Sequence, residues 1–170
     1  NLPFYKFVDA IYLAKIETKY WIEYICKRFE NTGKHISPEL AEEICRLVDN
    51  HSSYVQQLSW LLWIRTINTA TTEQLSYALE DLLDQNNILF QSETENLSAY
   101  QMNFLKAIVD GIHTKFSSKE VISKYNLGTS ANIVRLKNAL LQKELIETNG
   151  KEIVLADPVF GVWFKKEMLY

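Results

Sequence analysis

A change of periodicity near residue 145 constrains the fold of this chain more than any other feature of its sequence. From Ser98 to Leu145 the apolar residues recur every three or four positions in three segments, as they do in amphipathic helices. From Leu145 to Leu155 they alternate with polar residues on both sides of Asn149-Gly150. This dipeptide favours a β-hairpin because both residues adopt positive φ in its turn. Three helices followed by a hairpin are the order of a winged helix, with the hairpin as the wing.

Capping signals support the first two of these helices. A capping box pairs a serine with a glutamine or glutamate three residues later, so that each side chain binds the other's backbone N–H group. Ser98 with Gln101 predicts the start of the first helix, and Ser117 with Glu120 predicts the start of the second. The second helix is short and is expected to end near Gly128, where glycine supplies a left-handed cap.

The third helix of the winged helix carries the residues that would contact DNA. Thr129 or Ser130 caps it, and only a few residues separate it from the second helix, as a helix-turn-helix requires. Its exposed face and the wing present polar and basic side chains of the types that bind base edges and phosphates. These candidate DNA-binding residues are Ser130, Asn132, Arg135, Lys137 and Asn138 on the helix, with Lys143 after it and Lys151 at the tip of the wing.

The first ninety residues predict a helical bundle behind one strand. Asp9–Ile16 is rich in β-branched and aromatic residues, which favours a strand, although its apolar spacing also allows a helix. No second strand follows within the next hundred residues to pair with it. Four helices with apolar stripes are predicted to begin near Thr18, Ser37, Ser52 and Thr71. The third is apolar on most of its circumference, so we expect it at the centre of the bundle.

These patterns predict a mainly α fold in two domains. The helical bundle covers residues 1–92 and the winged helix covers residues 97–170, with the polar stretch from Gln91 to Asn96 as the linker. Residues 1–94 carry 8 Lys and Arg against 13 Asp and Glu, whereas residues 95–170 carry 10 against 8. The winged-helix half is thus mildly basic. This charge is compatible with DNA contact but is too low to indicate it.

The composition is that of a globular chain, since 47% of its residues are hydrophobic. The longest apolar run, from Trp60 to Ile64, is far shorter than the roughly 18 residues of a membrane span. No signal-peptide pattern opens the sequence, so we expect a cytoplasmic protein without a membrane partner. Because the first residue is Asn1 rather than methionine, we expect the chain to be a piece of a longer protein.

No pattern predicts catalysis by this chain. The phosphate-binding motif G-x-x-x-x-G-K-S/T is absent, and the five glycines are too scattered to form a phosphate loop. The three histidines lack the spacing of metal ligands, so no zinc site is expected. Cys26 and Cys45 fall on apolar helix faces and are interpreted as buried thiols. We therefore expect a non-catalytic chain with no cofactor and no metal of its own.

Two sequence strings carry a resemblance to a known family. The third helix of the bundle begins His51-Ser52-Ser53-Tyr54-Val55-Gln56-Gln57-Leu58, and Asp157-Pro158-Val159-Phe160-Gly161-Val162-Trp163 follows the wing. With the order of bundle and winged helix, these strings resemble the C-terminal region of the bacterial and archaeal-type predicted P-loop ATPases of the AAA+/STAND class. In that family a nucleotide-binding domain comes first, a helical lid follows its last strand, and a winged helix follows the lid.

The resemblance implies a regulatory role beside a nucleotide site. Asp9–Ile16 would be the last strand of a nucleotide-binding domain that lies outside this sequence, and ATP and Mg²⁺ would bind to the parent chain. The family's lid helix begins with a Gly-x-Pro-like turn that faces the nucleotide. Here Asn50 or His51 stands at the glycine place and Ser53 at the proline place. His51 and Ser53 are therefore the expected nucleotide-facing residues.

Two functions remain open for the winged helix. In the first it docks on the missing nucleotide-binding domain or on another protein, as winged helices attached to such ATPases often do. In the second the chain is a winged-helix DNA-binding protein similar to transcription regulators. Glu120, Glu144, Glu147 and Glu152 lie close to the predicted DNA surface and would repel phosphates, which favours docking. The unpaired strand further predicts a weak homodimer, because an exposed strand edge pairs with its own copy.

Overall fold

The computed structural model describes residues 15–169 of the chain. The predicted strand Asp9–Ile16 lies outside this range, except for Lys15 and Ile16, which belong to no helix or strand. The described residues form eight helices and one hairpin. In chain order these are α1 (Thr18–Glu30), α2 (Pro38–Leu47), α3 (Ser52–Arg65), α4 (Thr72–Glu95), α5 (Ala99–Val109), α6 (Lys119–Tyr125), α7 (Ser130–Gln142), β1 (Ile146–Asn149), β2 (Glu152–Leu155) and α8 (Pro158–Leu169).

Helix α3 is the hub of the helical bundle, because it contacts α1, α2 and α4. Its inner side chains Leu58 and Leu62 are completely buried, so its predicted central position is confirmed. The prediction is wrong on its outer side, where Trp60 is 56% exposed and Ile64 is 48% exposed. Three neighbouring helices do not surround the whole circumference of α3, and one apolar face is left open to solvent.

Helix α4 runs through the segment that was predicted to be a linker. It begins at the capping box of Thr71 and Gln74 and continues to Glu95. Phe90 is fully buried and Thr94 is 7% exposed, so the last turns of α4 have an anchored face. The polar residues between them lie on the solvent side of the same helix. Gln91 to Asn96 is therefore the last turn and cap of a helix, whose exposed face has the same polar composition as a linker.

The helix-turn-helix forms as expected, with small shifts at its caps. The capping box of Ser98 and Gln101 is present at the start of α5. Helix α6 is capped by Ser118 rather than Ser117, since the Ser118 hydroxyl accepts from Val121 N at 3.3 Å. It ends at Tyr125. The next residue, Asn126, has a φ of 49° and provides the left-handed cap that was expected at Gly128.

The wing is an antiparallel hairpin whose turn differs from the predicted one. Asn149 pairs with Glu152, so Gly150 and Lys151 are the two turn residues, and Gly150 has a φ of 60°. This matches a hairpin turn with glycine at its first central position. Outside the hairpin, Ile153 N donates to His113 O at 2.9 Å, which places β2 against the segment after α5. The mainly α fold with a small hairpin is confirmed.

Candidate functional sites

The turn between α2 and α3 has the backbone conformation that glycine usually supplies. Asp49 and Asn50 have φ values of 48° and 53°, a region that asparagine and aspartate enter more readily than other side chains. The Asn50 amide and the Thr18 hydroxyl hydrogen bond to each other, with Asn50 Nδ2 3.0 Å from Thr18 Oγ1. Lys15 Nζ binds the Asp49 carboxylate at 2.6 Å. The beginning of α1 therefore holds this turn in place.

His51 and Ser53 lie together in the first turn of α3. His51 is the N-cap residue, but its side chain makes no capping hydrogen bond. Its ring lies 4.8 Å from the ring of Tyr54, and its Nδ1 atom is buried without a hydrogen-bond partner among the described residues. Ser53 is exposed, and its hydroxyl accepts from Gln57 Nε2 at 2.8 Å. Because no side chain caps the first N–H groups of α3, this helix end favours an anion.

The same turn of α3 is bound to the start of α8. The Tyr54 hydroxyl donates to Asp157 Oδ2 at 2.5 Å. The other carboxylate oxygen, Oδ1, accepts from Val159 N at 2.8 Å and from Phe160 N at 3.0 Å. Asp157 is thus the cap of α8 and the acceptor for Tyr54 at once. Aspartate followed by proline is a common order at a helix start, but nothing in the sequence indicates the contact with Tyr54.

Burial shifts the ionisation of two groups around Asp157. It raises the pKa of Tyr54 well above its ordinary value, and the hydrogen bond to Asp157 raises this pKa further. Burial also raises the pKa of Glu93 on α4, and the negative charge of Asp157 adds to the effect. The phenol is therefore held neutral, and the Glu93 carboxylate is less stable in the folded protein than in water.

Helices α4 and α8 join the bundle to the winged helix. Phe90 on α4 lies 5.5 Å from Phe160 and 5.6 Å from Trp163, measured between ring centroids. Trp163 Nε1 also donates to Asn87 Oδ1 at 2.8 Å. At the edge of this contact Lys166 forms an ion pair with Glu80. Phe160 and Trp163 of the string after Asp157 therefore pack on α4, the helix that both halves share.

Some of the candidate DNA-binding side chains are exposed, whereas others are half-buried or hydrogen bonded within the domain. Ser130, Arg135 and Asn138 are exposed on α7, and Lys151 is exposed in the turn of the wing, whereas Lys137 is half-buried.

Asn132 is already used within the domain. Its Nδ2 donates to Leu127 O at 3.0 Å, and its Oδ1 accepts from Arg135 Nη2 at 2.7 Å. Both ends of its side-chain amide are therefore engaged: the nitrogen stabilises the turn before α7, and the oxygen holds Arg135. The exposed face also carries Val134, which is 63% exposed.

The charges of the helix-turn-helix and the wing are mixed in sign. Six basic side chains (Lys119, Lys124, Arg135, Lys137, Lys143 and Lys151) lie among four carboxylates (Glu120, Glu144, Glu147 and Glu152). A surface that binds DNA is usually basic, because contacts to phosphates supply most of the non-specific affinity.

The described residues offer little other chemistry. In residues 15–169 no group of three or more His, Cys, Asp or Glu side chains is arranged to hold a metal ion. Cys26 is half-buried and Cys45 is buried, and both are free thiols. Burial raises the pKa of Cys45 to about 11, which makes it a poor nucleophile.

Within the described part of the chain, every helix is too short or too polar to span a bilayer.

Comparisons with known proteins agree with this fold. Residues 88–166 match the family described as "Probable winged helix domain". The structure is similar to that of a Walker-type ATPase of Pyrococcus abyssi, with a TM-score of 0.66 and 18% sequence identity. The similarity covers 89% of this chain and 42% of that chain. No curated protein matches the sequence. Residues 88–166 are thus similar to a winged-helix domain, and the chain shares its fold with part of a Walker-type ATPase.

Proposed function

We propose that this chain is the lid and winged-helix region of a P-loop ATPase of the AAA+/STAND class, and that it is a docking module without catalysis of its own. The observation that carries the proposal is the similarity to a Walker-type ATPase, which extends over 89% of this chain. It includes the helical bundle as well as the winged helix. The remaining part of such an ATPase, with its ATP and Mg²⁺, would belong to the parent chain.

The first turn of α3 supports a position beside the nucleotide. Asn50 adopts the positive φ that glycine would provide in the lid turn of the resembled family. His51 and Ser53 follow it at a helix end without a side-chain cap. In the parent chain they would face the phosphates of ATP, which helix N-termini stabilise through free N–H groups.

Docking of the winged helix is favoured over DNA binding by its surface. The carboxylates among the basic side chains of this surface weaken its attraction for phosphates. The internal hydrogen bonds of Asn132 remove one of the side chains that would read bases. Val134, exposed on the same face, is suited to contact with a protein. The expected partner is the nucleotide-binding domain of the parent chain or another cytoplasmic protein.

DNA binding is the second candidate function. Ser130, Arg135 and Asn138 remain exposed on α7, in the helix that enters the major groove in other winged helices, and Lys151 stands at the tip of the wing. These four side chains would supply the base and phosphate contacts.

The coding sequence upstream of Asn1 separates a lid region from a free-standing regulator. We expect an in-frame G-x-x-x-x-G-K-S/T motif, placed after a predicted strand and before a helix. A start codon directly before this segment, without such a motif, would refute the ATPase proposal and leave the DNA-binding candidate.

A further inference from the structure

A groove of about 440 Å³ lies between α1 and α3. Its floor includes Ile25 and Phe29, which are each 2% exposed. Its walls are the aromatic side chains of Tyr24, Trp60 and Trp63. This α1–α3 groove contains no residue of the winged helix and none of the first turn of α3. It is therefore a surface separate from both candidate sites above.

Two of the three aromatic walls of the groove are widely open to solvent. Trp60 is 56% exposed and Tyr24 is 43% exposed, so about half of each residue meets water. Exposed apolar patches of this kind mark interaction surfaces. Tryptophan, tyrosine and arginine are also the residues that contribute most often to the affinity of protein interfaces.

Two cations lie against the aromatic walls of the groove and form its positive rim. Arg28 is the charged residue of its lining, and its guanidinium lies 5.1 Å from the centroid of the Tyr24 ring. Lys34 Nζ lies 4.0 Å from the centroid of Trp63 and donates to Trp63 O at 2.7 Å. Neither cation belongs to an ion pair among the described residues.

This positive rim stands out because the surrounding half of the chain is acidic. Residues 1–94 carry 8 basic side chains against 13 acidic ones. The acidic residues of α2 line a different cleft, which includes Glu39, Glu42 and Glu43. A ligand for the α1–α3 groove must therefore supply apolar surface to the rings and negative charge to the rim.

We propose that the α1–α3 groove docks a peptide segment of a partner protein that carries a large apolar side chain with a carboxylate within four residues of it. The apolar side chain lies between Trp60 and Tyr24 on the floor of Ile25 and Phe29. The carboxylate pairs with Arg28. One helical turn brings the two groups onto the same face of the segment, so an amphipathic helix satisfies both requirements.

A random 12-residue peptide library displayed on phage tests the proposal. The full chain is the target, and Trp60→Ala is tested only afterwards, against the enriched peptides. The enriched peptides are expected to share an aromatic or leucine residue with Asp or Glu within four positions. A synthetic consensus peptide should lose at least tenfold in affinity for both Trp60→Ala and Arg28→Glu. Exchanging its carboxylate for lysine should restore binding to Arg28→Glu. Tyr77→Ala, which removes an exposed ring from α4, is the matched control and should bind as tightly as the wild type.

Several results would overturn this assignment. Enriched peptides that bind Trp60→Ala equally well, or that carry basic residues in place of acidic ones, would contradict it. A dimer in sedimentation experiments that dissociates on Trp60→Ala would assign the groove to a second copy of the chain. A tenfold gain in peptide affinity on deletion of residues 1–14 would assign it to the chain's own N-terminal segment. Circular dichroism of each variant checks that the helical fold is intact.

Discussion

The Tyr54 hydroxyl lies 2.5 Å from Asp157 Oδ2, across 103 positions of the sequence. This hydrogen bond ties the first turn of α3 to the residue that caps α8. In the proposed ATPase the first turn of α3 would face the nucleotide, and α8 belongs to the winged helix. A change at the nucleotide would thus reach the winged helix through one buried side chain.

Replacing Tyr54 by phenylalanine should lower the free energy of unfolding by about 1.5–3 kcal/mol. The substitution leaves Asp157 Oδ2 without its donor, and a hydrogen bond to a charged group contributes about this much. Urea denaturation at neutral pH measures the change.

Tyr77→Phe is the matched control for Tyr54→Phe. The Tyr77 hydroxyl lies 3.4 Å from an oxygen of Glu73 on the surface of α4, and its removal should leave the unfolding midpoint unchanged. Equal effects of the two substitutions would mean that the bond between Tyr54 and Asp157 does not stabilise the fold.

Replacing Glu93 by glutamine should stabilise the protein at neutral pH. Burial and the charge of Asp157 raise the pKa of Glu93, so above that pKa its charged form costs folding free energy. The cost falls as the pH drops through the raised pKa, and it vanishes below the ordinary glutamate value near about pH 4. Thermal melts at several pH values should show a higher melting temperature for Glu93→Gln at pH 7 and no difference at pH 3. Glu95→Gln, exposed at the end of the same helix, should have no effect at either pH.

Replacing Phe90 by alanine should destabilise the whole chain by about 3–5 kcal/mol. Phe90 is fully buried between α4 and α8, and removing a buried aromatic ring leaves a cavity of this cost. Since α4 belongs to both halves, we expect one cooperative unfolding transition that shifts as a unit. Leu89→Ala, at a 53% exposed position next to it, should change the stability by less than about 1 kcal/mol. Two separate transitions in either variant would contradict the shared role of α4.

The helix order of the winged helix could be predicted because its signals are local. Capping boxes and apolar periodicity involve residues within one or two turns of each other, and Ser98 with Gln101 forms its box as expected. The hairpin was predicted, but its turn lies one residue further along the chain than expected. Glycine can occupy the first central position of a hairpin turn as well as the second, so the Asn-Gly pair alone does not fix the register.

The end of α4 and the open face of α3 were mispredicted for a related reason. A polar segment is either a linker or the solvent side of a helix, and the contact of Phe90 with α8 decides between them. Similarly, an apolar helix is predicted to be buried on all sides, but the number of neighbouring helices limits how much of α3 is covered. The roles of His51, Ser53 and the α7 residues stay predictions, since they depend on partners outside this sequence.

This chain alone should bind ATP with a dissociation constant no tighter than about 1 mM. Its sequence lacks the glycine-rich loop and lysine that surround the β- and γ-phosphates in P-loop proteins, and one helix end supplies only a small part of that site. Isothermal titration calorimetry measures the constant. A micromolar value would mean that the chain contains a nucleotide site of its own.

The most direct measurement of docking against DNA binding is a titration of this chain with the nucleotide-binding domain that we expect upstream of Asn1. The same chain is exposed in parallel to a random pool of duplex DNA at about 150 mM salt. Docking predicts a micromolar complex with the nucleotide-binding domain, and weak DNA binding without sequence preference. Absence of that complex, together with selected duplexes that converge on one motif and lose affinity on Arg135→Ala, would contradict the docking function and establish DNA binding in its place.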